Sequence, residues 1–171
     1  MNFVAFPLQF GLLPIFARDV FQVGAAGLGL LGTALGVGAV LGSVLMAWSG
    51  AVHHAGRRML WGTTSWFALL VVFARTPAYT LALGVLVLMG MAQTLALTNM
   101  TVLLLGTSSS AIRGRIMGLR SLAVAPLLLG GIVAGAATSR VGAPLTTMGC
   151  AVLGLLITAG IAPWIPRRVT P

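Results

Sequence analysis

VGAAGLGLLGTALGVGAVLGSVLMAW, residues 23–48, runs for 26 residues without a charged side chain. At about 1.5 Å per residue, a helix of that length reaches about 39 Å, more than the ~30 Å hydrocarbon core of a bilayer. A helix on the surface of a soluble protein shows a polar face, but here only Thr33 and Ser43 interrupt the run. The stretch reads as a membrane-spanning helix. Whether the whole chain is a membrane protein depends on its neighbours.

They read the same way. Apolar runs occupy 79–105, 116–138 and 143–165, the second of these broken near its start by Arg120. Residues 59–74 are short for a span, but they lie between Arg58 and Arg75, whose long stems let the charge snorkel to the headgroups. Residues 1–16 are apolar as well. Hydrophobic residues make up 58% of the chain and charged ones 6%, with a mean hydropathy of +1.07. Soluble domains carry about 25% charged residues, so this chain has too few to cover a water-exposed surface. The expectation is an all-α membrane protein, a single transmembrane domain over 1–171. Its six transmembrane helices lie near 1–16, 23–48, 59–74, 79–105, 116–138 and 143–165, and the partner this composition implies is a lipid bilayer.

A net charge of +9 ordinarily suggests nucleic acid. Here every basic residue is an arginine standing singly or in pairs between apolar runs, so topology explains the charge and no nucleic acid is expected. Arg57, Arg58, Arg113, Arg115, Arg120, Arg167 and Arg168 fall on one side of the six-span arrangement, and Arg18, Arg75 and Arg140 on the other. Seven against three places both termini in the cytoplasm of a multi-pass protein of the inner or plasma membrane. The first run is anomalous, since 16 residues reach only about 24 Å and no arginine anchors the inner end. It reads as a helix truncated at its start, with its upstream half missing. Asp19, the only acidic residue in the chain, follows it beside Arg18, where a local ion pair or a cap is expected.

Small residues recur within 23–48. Ala25, Gly29, Gly32, Gly36, Ala39 and Ser43 alternate spacings of four and three, and Gly38 and Gly42 form a second, offset pair. Such faces let helix backbones approach closely in lipid. Tight helix packing, or smooth rocking against a partner helix, is the expected use. The run 79–105 carries Gln93, Thr94, Thr98, Asn99 and Thr101 deep among apolar residues. Intramembrane polar groups face the bundle interior or a water-filled cavity, and interhelical hydrogen bonding competes with ligand contact as their role. Gln9, Gln93, Thr98 and Asn99 are the candidate substrate-binding residues. Arg57, Arg58, Arg113 and Arg115 are candidates for gating from the cytoplasmic loops, where Gly114 permits a tight backbone between two arginines.

No enzyme is indicated. His53 and His54 stand in a loop with no Cys, Asp or Glu nearby to complete a metal site, and Cys150 is alone within an apolar run. Paired carboxylates, a phosphate-cradling loop and an embedded Ser–His pair are all missing from the sequence. Neither a cofactor nor a metal is implied.

FARDVFQVGAAGLGLLGTALGVGAVLGS, followed by GRR and then by IRGRIMGLRSLAVAPLLLGG, resembles the C-terminal half of major facilitator superfamily transporters. The likeness is greatest to the enterobactin-exporter branch of bacterial efflux members. The resemblance implies a twelve-helix protein of two six-helix halves that binds a small-molecule substrate between them and works by alternating access. This chain would be the second half, and its partner a missing or separate N-terminal six-helix half. GAVHHAGRR, residues 50–58, is similar to the family's loop motif at Gly50, Gly56, Arg57 and Arg58, while His53 and His54 stand where the motif carries charge. Transmembrane efflux of a small hydrophobic or amphipathic molecule is the implied function. The alternative is a non-transporting fragment or accessory protein that pairs with another six-helix chain.

Overall fold

A computed structural model describes residues 11–48, 55–106, 114, 118 and 135–161. Within these residues the chain is helical and contains no strand. A short helix α1 (Leu13–Ile15) continues into a π-helical turn, Phe16–Val20. Four long helices follow: α2 (Ala25–Trp48), α3 (Ala55–Arg75), α4 (Tyr79–Gly106) and α5 (Ala143–Ile161).

Local chemistry accounts for the boundaries. Pro14 enters the first turn of α1, where its missing N–H costs no hydrogen bond. The π turn closes through the Phe21 amide on the Phe16 carbonyl (2.9 Å), and Gln22 then takes a left-handed conformation at φ 51°. Few residues other than glycine adopt that region. It breaks the helix and lets α2 start afresh. Pro77 ends α3, because a residue before proline avoids the helical region. Gly142 at φ 89° ends a helical stretch over 135–141 and donates its amide to the Thr138 carbonyl (2.9 Å). Pro144 then opens α5.

These boundaries move two sequence expectations. Arg18 and Asp19 lie within the π turn that extends α1, not in a loop after it. The third run begins at Ala55, four residues before Met59, so Arg57 and Arg58 occupy its first turn and the helix has 21 residues. The loop over 49–54 with His53 and His54, most of 1–16 with Gln9, and nearly all of 107–134 with Arg113, Arg115 and Arg120 lie outside the described residues. Gly114 and Gly118 are helical and exposed.

Helix α4 is the centre of the bundle, packed on α2 and α3, and α5 lies on the far side of α3. The α2–α4 contact is made by glycine. A Cβ at Gly38 would strike the Val87 carbonyl oxygen, and one at Gly90 the Leu35 carbonyl oxygen. Backbone meets backbone there, the arrangement that lets dispersion hold helices together in lipid. The offset Gly38–Gly42 pair therefore makes the close contact. The longer stripe does not: Ala25, Gly29, Gly32, Gly36 and Ser43 are exposed, and only Ala39 is half-buried. On a helix, positions 36 and 38 lie about 200° apart, so packing one face on α4 turns the other outward.

At the opposite end from Arg57 and Arg58, aromatic rings tie four segments together. Phe16 and Phe73, both fully buried, pack tilted at 47° with centroids 4.9 Å apart, and Phe21 packs edge-on against Phe73 and Tyr79. The Tyr79 hydroxyl donates to the Gly27 carbonyl (2.9 Å), joining α4 to α2.

Candidate functional site

The outward faces establish the class of protein. Helix α2, residues Tyr79–Leu104 of α4 and residues Ala143–Gly160 of α5 are long and apolar enough to cross a membrane, yet only 28%, 33% and 22% of their apolar windows are buried within the protein. Val40, Trp48, Leu81, Leu153 and Leu156 are among the large side chains left outside. Helix α3 falls short of that apolar standard because Arg57, Arg58, Thr63, Thr64 and Ser65 crowd its first half.

Most hydroxyls in these helices satisfy themselves. Thr33 donates to the Gly29 carbonyl, Ser43 to Val40, Thr147 to Ala143 and Thr158 to Gly154, all within 2.7–2.9 Å. A hydroxyl that bonds back to its own helix can face lipid or core without a further partner. Thr94 also reaches across, sharing its proton between Gly90 (3.1 Å) and the Ala39 carbonyl of α2 (3.2 Å). That is the interhelical role open to it from sequence.

Asn99 is different. It is fully buried; its amide nitrogen donates to the Leu95 carbonyl (2.7 Å) and approaches the Met46 sulfur of α2 at 3.8 Å. Its carboxamide oxygen is buried with no hydrogen-bond partner. An amide carries both donors and an acceptor, so bonding back to its own helix cannot complete it. Asn99 stands seven residues, about 10 Å, from the end of α4, in the half of the bundle that holds Arg58.

The other candidates do not gather around Asn99. Thr98 is exposed and Gln93 is half-buried. Successive residues turn about 100° on a helix, so Gln93, Thr98 and Asn99 point in three directions. Arg57 is exposed and Arg58 half-buried, with the Arg58 Nη1 buried and unpaired. Met46, whose sulfur approaches the Asn99 amide, gave no signal in the sequence, since it looks like any other apolar residue of its run. Two concave surfaces lie on the described helices. One, about 390 Å³, follows the small-residue face of α2 along Thr33, Gly36, Val37 and Val40. The other, about 290 Å³, lies between Arg58 and Trp61 of α3, Met46 of α2 and Leu95 of α4.

Arg18 and Asp19 form a two-pronged ion pair, with Nε to Oδ1 at 2.6 Å and Nη2 to Oδ2 at 3.1 Å. The hydrogen bond from Arg18, more than its charge, holds the Asp19 carboxyl below its ordinary pKa. Both side chains are exposed.

Apolar spanning helices that turn most of their surface outward, with most of their hydroxyls bonded back to their own backbone, define an α-helical membrane protein. No protein-family model matches the chain, and no curated protein and no solved structure matches it either.

Proposed function

We propose that the chain is the C-terminal half of a secondary transporter that exports a small hydrophobic or amphipathic molecule by alternating access. The observation that carries this reading is Asn99, a fully buried amide in a spanning helix with an acceptor left unpaired. An unmade hydrogen bond of this kind costs about 1–3 kcal/mol, which a ligand reaching the Asn99 oxygen would recover. Intramembrane polar groups of this sort mark substrate paths. Gln93 and Thr98, about 120° and 100° round the helix from Asn99, act apart from it, and Arg57 and Arg58 act at the cytoplasmic mouth. Asn99→Ala in the complete transporter lowers export at least tenfold while the protein reaches the membrane in normal amounts. Unchanged efflux at normal levels removes Asn99 from the site.

The second reading, a chain that pairs with a separate six-helix partner without transporting, is favoured by the outward small-residue face of α2. Its groove beside Gly36 and Val40 matches the close approach of another helix. Purification in mild detergent separates the two readings. A stable complex that carries out efflux supports the transporter, and a complex inert for transport supports the accessory chain.

A further inference from the structure

Arg58, Trp61, Gly62 and Ser65 follow one another on a single face of α3, at the three- and four-residue spacing of helical neighbours. They line the 290 Å³ cleft that Met46 and Leu95 close from the other helices. Gly62 is packed against α4 at the back of the cleft, since a Cβ there would stand 2.8 Å from the Ala96 amide nitrogen. The Nη1 of Arg58 is buried and has no hydrogen-bond partner. A guanidinium nitrogen removed from water needs an acceptor, and an anion answers that need best.

The chain holds no acidic side chain that can supply it. Asp19 is the only one, it is engaged by Arg18, and its turn packs against Phe73 at the far end of α3, about 22 Å from Arg58. Around the cleft the chemistry is that of a membrane interface. Trp61 is 65% exposed and Trp48, at the end of α2, is 85% exposed. Indoles settle where headgroups meet acyl chains.

We propose that this cleft binds an anionic phospholipid, with the headgroup phosphate on the Arg58 guanidinium and an acyl chain running past Trp61, Met46 and Leu95. The guanidinium fork matches two phosphate oxygens, and Ser65, two turns or about 10 Å deeper, lies at the level of the upper acyl chains. This site rests on the chain being embedded in a membrane and is independent of transport.

Native mass spectrometry of the full chain in mild detergent tests the site, with phosphatidylglycerol, phosphatidylcholine of the same acyl chains, and inorganic phosphate as probes. One phosphatidylglycerol is retained about tenfold better than phosphatidylcholine, and Arg58→Gln removes that preference. Arg57→Gln, an exposed neighbour, keeps it. Equal retention of the two lipids, or a preference that survives Arg58→Gln, overturns the proposal. Inorganic phosphate binding as well as phosphatidylglycerol, with the same dependence on Arg58, assigns the cleft to a free anion and overturns the lipid. If Arg58→Gln does not fold, Trp61→Ala at an exposed position decides, and undiminished lipid retention there counts against the site. Release of the chain from membranes by alkaline carbonate overturns the membrane reading itself, a result distinct from an embedded chain without the lipid.

Discussion

At the residue scale, the two polar features singled out from the sequence have opposite energetics. Arg18 and Asp19 meet in good geometry, but in water, where an ion pair gains little over its hydrated parts. Asn99 sits where water is excluded and is half-satisfied, so its unmet oxygen weighs more than the whole surface pair. The pH dependence follows from the lowered pKa of Asp19. Its contribution to stability is fully present above the ordinary carboxylate value and is lost as pH falls through the lowered one. Asp19→Asn therefore leaves the thermal midpoint in detergent unchanged within scatter at pH 7, and only the wild type loses this small contribution on acidification below about pH 4. A substantial loss of stability at pH 7 would show that the pair has structural weight that its exposure denies.

At the element scale, the two small-residue faces of α2 predict opposite responses to the same change. Gly38→Leu forces a side chain into the Val87 carbonyl and separates α2 from α4, which costs about 3 kcal/mol or more, since the neighbour is backbone and cannot turn aside. Gly36→Leu on the exposed face has nothing within 4 Å. It changes the stability of the isolated chain by about 0.5 kcal/mol or less and weakens only the pairing with an outside helix. Thermal melts of the two variants, beside copurification of a partner, check both halves. Equal destabilisation would mean that the stripe is packed within this chain. Helix α3 teaches a related point. Its polar first turns hide its length in a hydropathy reading, yet they bring Arg58 to the cleft and place Gly62 against α4.

At the scale of the whole molecule, the bundle has a polarity that labelling can test. Arg18 stands at the end held by Phe16, Phe73 and Tyr79, and Arg57 at the other. With Cys150→Ser as background, Arg18→Cys reacts with an impermeant maleimide in intact cells, and Arg57→Cys reacts only after the membrane is opened. Reaction of both from one side overturns the topology drawn from the arginines. The membrane class was legible in the sequence because hydrocarbon thickness and the cost of bare backbone in lipid leave few choices for a 26-residue uncharged run. The starts of α2 and α4 were also close at hand, since Gln22–Gly24 and Pro77 mark them locally. The candidate site was legible only as a set of polar residues on α4. Their spacing could not say which one would be buried, because on a helix apolar all round every face is equally fit to turn inward. Sequence by itself determined that this chain lives in lipid and, within a few residues, where α2, α4 and α5 run, as length, charge and turn chemistry act locally. Only the tertiary structure decided that Gly38 rather than Gly36 meets α4, that Asn99 is sealed against Met46, and that Arg58 is left without an acceptor. Those outcomes depend on which faces of separate helices meet, and residues distant in sequence share that choice.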